Sequence, residues 1–190
     1  PPYDIIKGEK VDALQSKSDF NIAWVIKNKP KDQDTQDANQ YTRAADLLDQ
    51  WISEGFLAQD DEESFYVYGQ DFVVNGEKLF RFGFIGLIEL EEFAEEAPKE
   101  GNFAGVLQHE ETLPKDIKDR FSLSSETMSY FGQIFVIYPD HKGDVDAILQ
   151  DAMKKDAIID VDDGDGVRHR IWKISDEQST KQITNLMKDK

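Results

Sequence analysis

The chain has no cysteine. That absence excludes a disulfide scaffold, a thiolate nucleophile and any cysteine-ligated metal site. Histidine is scarce as well, with three in the whole sequence, so a hydrolase triad finds no support in spacing. Positive charge is in short supply: 22 Lys and Arg stand against 39 Asp and Glu, a formal net charge of −17. A duplex-binding surface needs clustered cations to displace counterions, so no nucleic-acid partner is expected. No apolar run reaches the ~18 residues of a spanning helix, so no membrane partner is expected either. The opening PPYDIIKGEK lacks the basic and apolar regions of a signal peptide. A cytoplasmic protein is the expectation, with a trimmed or processed N-terminus because the first residue is Pro1.

What is present is a globular composition. The apolar set is 39% and the aromatic set 11% of 190 residues, too rich for a disordered chain and enough for one sizeable core. The expectation is a single α+β domain over residues 1–190, with a mixed, mainly antiparallel sheet and flanking helices. Helices are predicted over 8–17, 38–54, 114–130, 143–155 and 176–188. In the second, Tyr41, Ala44, Ala45, Leu48, Trp51 and Ile52 recur at helical spacing and Gly55 stands where a C-cap belongs. Pro114 suits the first turn of the third.

Buried strands are predicted at Phe20–Lys27 and Gln133–Tyr138, with further strands at Phe65–Tyr68 and 103–108. Asn75-Gly76 is the preferred pair for a type I′ hairpin turn, joining Phe72–Val74 to a long strand over Leu79–Leu90. Apolar residues on both faces of that long strand argue for the middle of a sheet. Ala157–Val161 and Val167–Ile174 are expected to pair across the DDGDG turn.

Several motifs fail on inspection. There is no GxxxxGK(S/T) phosphate loop and no GxGxxG. The aspartates at 160, 162, 163 and 165 resemble a calcium loop, but the glycine is misplaced and Ile171 stands where a bidentate Glu belongs. A polar hairpin turn explains them. His109-Glu110 starts like a zincin signature, but Leu113 occupies the second histidine position. No metal site is expected, and no pattern names a cofactor.

Six segments, taken in order, say more than any motif. They are PPYD (1–4), YTRAADLLDQWISEGFLAQDDEESFYVYGQ (41–70), GFIGLIELEEF (83–93), QHEETLPKDIKDR (108–120), FGQIFVIYPD (131–140) and GVRHRIWKI (166–174). Their order and spacing resemble the bacterial and archaeal family catalogued as domain of unknown function 1015. The resemblance covers nearly the whole chain. It implies that family members are longer, and that the segment like GVRHRIWKI is followed by a helix and a strand carrying Gly-His-His-Arg. The chain is therefore expected to be the N-terminal portion of a longer family member. The Gly-His-His-Arg motif resembles the phosphate-handling turn of the ParB and sulfiredoxin-like group, which implies phosphate or nucleotide chemistry.

The same resemblance marks a polar block: His109, Glu110, Thr112, Lys115, Asp119 and Arg120. Two readings of it stand. In the functional one, Lys115 and Arg120 receive a small anionic ligand beside a helix start, while His109 and Glu110 are candidate base and orienting partner. In the structural one, Thr112 caps the helix and Asp119 and Arg120 make ordinary ion pairs. Glu111 stands where the family pattern leads one to expect a basic residue, which weakens any polyanion site. Asp4 matches the family pattern as well, either lining the same cleft or serving as a turn residue. For His169 a hydrogen-bonded structural role is expected, and for Trp172, which a strand points to the opposite face, core packing. The functional alternatives are a phosphate- or nucleotide-related enzyme and a non-catalytic acidic binding or assembly module.

Overall fold

The computed structural model describes residues 5–89, 106–107 and 114–188. The chain divides into two compact units. The first comprises residues 1–59 and 110–134, and the second residues 60–109 and 135–190.

The described part of the first unit is helical. It contains α1 (Glu9–Gln15), α2 (Ala23–Ile26), α3 (Gln40–Ser53) and α4 (Pro114–Thr127). The start of α3 is fixed by a capping box: the Asn39 side chain accepts from the backbone of Thr42, and the Thr42 hydroxyl accepts from the Asn39 N–H. Its end is equally determined. Gly55 takes φ of 79°, and Phe56 N–H reaches back to Trp51 O at 2.9 Å while Gly55 N–H meets Ile52 O at 3.1 Å. That is a Schellman ending, which a side chain at position 55 would strain. Between these caps, Ala44, Leu48 and Trp51 are buried. Ala44 and Trp51 form a core cluster with Val25 of α2 and Leu123 of α4.

The described part of the second unit holds a four-stranded sheet of order β2-β1-β4-β3. The strands are β1 (Phe65–Val74), β2 (Glu77–Ile85), β3 (Ile159–Asp162) and β4 (Arg168–Ile174), and every pairing is antiparallel. The fold is α+β, as the sequence indicated. Asn75 and Gly76 take φ of 52° and 84°, which is the type I′ turn of the β1–β2 hairpin. One sheet face presents Phe82, Phe84, Val67, Trp172 and Ile174 to α5 (Asp144–Ala152) and α6 (Glu177–Met187), where Val145, Leu149 and Ile183 complete the core. Gly69 sits under two rings: a Cβ there would lie 2.9 Å from Phe80 and 3.0 Å from Trp172. The absence of a side chain lets the rings close over the strand. The β3–β4 turn is polar, with the Asp162 and Asp163 carboxylates accepting from Gly164, Asp165 and Val167 N–H groups.

Four expectations are corrected. Phe20–Lys27 is not a strand: its centre is the short helix α2, whose entry is set by the Asn21 side chain accepting from Ala23 N–H at 3.0 Å. The run is buried at Ala23 and Val25, and a short apolar run carries no period that separates helix from strand. Gln133–Tyr138 is irregular rather than a buried strand, with Ile134, Phe135 and Ile137 exposed at 78%, 76% and 84%. It spans the boundary between the two units, and only Tyr138 packs against the sheet core. The strand foreseen over Leu79–Leu90 ends at Ile85 and lies at the sheet edge. Its aromatic face was read correctly, but Leu87 beyond it is fully exposed. Phe65–Tyr68 and Phe72–Val74 are one continuous strand, β1. The strand expected at 103–108 falls largely outside the described residues.

Candidate functional site

A groove in the helical unit gathers most of its unusual polar chemistry. Val11 of α1, the stretch from Val25 to Pro30, Gln40 and Tyr41 at the start of α3, and Asp119, Arg120 and Leu123 of α4 line it. It encloses about 230 Å³, below the ~300–1,000 Å³ of drug-sized ligand sites. Val11, Val25 and Leu123 supply an apolar base. Lys27, Lys29 and Arg120 bring three cations to its lining, with Asp12 paired to Lys29 and Asp119 to Arg120. In a chain of net charge −17, that local excess of positive charge runs against the composition.

The polar groups are held from several sides. Tyr41 Oη donates to Asp119 Oδ1 at 2.8 Å. Arg120 Nε donates to the other Asp119 oxygen at 3.0 Å, and a terminal nitrogen of Arg120 reaches the same carboxylate. Arg120 also donates to Ile26 O at 3.2 Å. A carboxylate so bridged orients a guanidinium and a phenol at once. Buried Gln15 donates to Ala23 O at 3.1 Å and to Lys27 O at 3.4 Å, tying α1 to the stretch that carries Lys27. Arg43 grips the Asp34 carboxylate and donates to Lys29 O at 2.8 Å, which fixes the loop beneath Lys29. Lys29 itself pairs with Asp12 of α1.

The electrostatics follow from this crowding. Burial, and next the Arg120 guanidinium, hold the Lys27 ammonium below its ordinary value, with Asp119 acting in the opposite sense. Burial and the hydrogen bond to Asp119 push the Tyr41 phenol up. An anion bound beside Lys27 would act in the same sense as Asp119. Arg43 draws the Asp34 carboxyl below the usual carboxylate range, so that pair remains ionised.

Of the candidates from sequence, Asp119 and Arg120 meet in this groove. The pairing given by the structural reading is present, and the same pair lines a cavity. Lys115 lies in the first turn of α4, and its side chain is outside the described atoms. Asp4, His109, Glu110 and Thr112 lie outside the described residues. Sequence reasoning missed Lys27 and Tyr41. Tyr41 was assigned to the core stripe of α3, and its Asp119 partner is 78 residues away. Lys27 was placed at the end of a strand that does not form. His169 makes the side-chain hydrogen bonds foreseen for it, and Trp172 is buried with Nε1 donating to Lys155 O at 3.0 Å. Among the described residues no helix is long and apolar enough to cross a membrane.

Fold and groove together define an α+β protein whose helical unit carries a small, cation-rich cavity. A family model described as "Protein of unknown function (DUF1015)" matches residues 1–190. The chain belongs to that family, as the six ordered segments implied. No curated protein and no solved structure matches it.

Proposed function

We propose that the groove between α1, α2, α3 and α4 binds a small anion, the phosphate or carboxylate of a compact metabolite, and that the protein serves a phosphate-handling reaction. The observation that carries this reading is the convergence of Lys27, Lys29 and Arg120 on one cavity in a chain of net charge −17. A guanidinium held in place by a carboxylate is a pre-oriented cation towards an oxyanion. The volume of about 230 Å³ favours a small ligand over a whole nucleotide. The acidic remainder of the surface disfavours nucleic acid as the ligand. His109 and Glu110, shortly before Asp119 and Arg120 in the chain, are the proposed base and its orienting partner, and Thr112 and Lys115 are proposed ligand contacts.

Isothermal titration with inorganic phosphate at low ionic strength tests the reading. Saturable binding that weakens about tenfold or more in Lys27→Gln and in Arg120→Gln supports it, since a charge-assisted contact contributes ~1.5–3 kcal/mol. Binding that is absent, or indifferent to both substitutions, overturns it.

A further inference from the structure

The sheet unit contains a second constellation, independent of the groove. Gln70 of β1 is in register with His169 of β4. Tyr68, two residues back on β1, therefore shares their face, opposite the one that packs on α5 and α6. Tyr68 Oη lies 2.6 Å from His169 Nδ1, and the two rings stack at 5.9 Å with an interplanar angle of 10°. His169 Nε2 lies 3.3 Å from Asp163 Oδ2. The other oxygen of Asp163 accepts from Asp165 N–H at 2.7 Å and from Val167 N–H at 3.1 Å. The β3–β4 turn thus anchors one carboxylate oxygen and aims the second at the imidazole.

We propose that Tyr68, His169 and Asp163 form a proton relay that makes the Tyr68 hydroxyl a nucleophile towards a small anionic ester, with Arg81 drawing the anion. The direction of each hydrogen bond follows from Asp163. The backbone donors of Val167 and Asp165, more than any other influence, hold its carboxyl below the usual range. It stays a carboxylate and can only accept, so in the neutral ring Nε2 carries the proton. Nδ1 is then a bare lone pair, and Tyr68 donates to it. Burial pushes the Tyr68 phenol up, so at neutral pH it reacts as O–H with a base already in contact. As Oη bonds to the electrophilic centre, its proton passes to Nδ1 and the leaving alkoxide departs with its electron pair. Asp163 stabilises the imidazolium so formed.

The charged groups that act on Tyr68 are Arg81 and Asp163. Arg81 projects from β2 on the same face and binds the Gln70 amide oxygen through Nε at 3.1 Å. Lys173, further along β4, is paired with Asp60 at 3.3 Å. A purely structural knot would need neither the stacked approach of the phenol nor a carboxylate that sets the tautomer.

The test is covalent labelling of the intact chain with 4-(fluorosulfonyl)benzoate, followed by peptide mapping in a mass spectrometer. Attack forms the Oη–S bond, breaks S–F and releases fluoride, with the phenolic proton taken by His169. Tyr68 is expected to label about tenfold or more faster than Tyr130, which is 88% exposed, because general-base assistance contributes ~10²–10⁴-fold. His169→Gln is expected to lower Tyr68 to the rate of Tyr130, and Asp163→Asn to slow it severalfold. Arg81→Gln is expected to slow the carboxylate probe but not neutral phenylmethanesulfonyl fluoride. Tyr68 labelling no faster than Tyr130 in the unsubstituted protein overturns the proposal, whatever the variants do. So does an unchanged rate in a His169→Gln protein with native circular dichroism.

Discussion

The two units place their few cations differently: along a strand in one, around a cavity in the other. In the sheet unit three cations along β4 are matched by carboxylates: Arg168 with Asp160 at 2.5 Å, Arg170 with Asp71 at 2.7 Å, Lys173 with Asp60 at 3.3 Å. In the helical unit Lys27, Lys29 and Arg120 instead line one cavity, where Asp12 holds Lys29 and Asp119 holds Arg120. Paired cross-strand charges at a surface contribute little each and mainly hold register. The first arrangement is architecture, and the second is where the anion site is proposed.

The comparison breaks first at the cores. Leu149 is fully buried under the sheet, and Leu149→Ala should cost about 2–5 kcal/mol. Urea denaturation followed through Trp172 fluorescence in a variant lacking Trp24 and Trp51 measures it. A cost below about 1 kcal/mol would mean that the sheet core is loosely packed. Gly69→Val comes next. Its side chain would press into Phe80 and Trp172, and overpacking of this kind costs about 1–3 kcal/mol, read from the same melt. In the helical unit Asn39→Ala removes the capping box of α3 and should cost about 1 kcal/mol. Amide exchange in the first turn of α3 would register it, while exchange within β1 and β4 should not change.

The smallest expected effect sharpens the contrast through pH. Burial, then Asp146 and Asp140, raise the Tyr138 phenol from 10.0 to about 12. The folded state then holds this proton more tightly than the unfolded state does. The resulting stability is complete below pH 10 and is lost as pH rises through about 12. Because Tyr138 keeps substantial solvent contact, screening limits the effect to below ~1 kcal/mol. Thermal melts between pH 9 and pH 12 should fall less steeply in Tyr138→Phe than in the unsubstituted chain. Equal slopes would remove Tyr138 as the cause.

Elements with their own punctuation were legible in the sequence. The stripe from Tyr41 to Trp51 with Gly55 behind it gave α3, Asn75-Gly76 gave the hairpin, and DDGDG gave the β3–β4 turn. Apolar runs without punctuation were not legible. Phe20–Lys27 and Gln133–Tyr138 look alike as strings, yet one contains a buried helical turn and the other is exposed irregular chain. The strand after Gly76 has apolar residues on both faces, but place in a sheet is decided by partners, and among the described residues β2 pairs with β1 alone. Of the groove's polar lining, the family pattern marked only Asp119 and Arg120. Tyr41 and Lys27 join them through tertiary packing, for which the sequence carries no local signal. The Tyr68–His169 contact spans 101 residues and depends on a strand pairing that the sequence reading did not propose.

The central claim is that the cation-rich groove of the helical unit is an anion site. Its most direct test is a ¹H–¹⁵N correlation titration of the protein with inorganic phosphate, with sodium chloride matched for ionic strength as the control. Saturable shifts confined to the backbone amides of Lys27, Lys29, Tyr41 and Arg120 and their neighbours, and lost in Lys27→Gln, are the predicted result. Shifts that grow linearly, that chloride reproduces, or that fall in the sheet unit instead would contradict it.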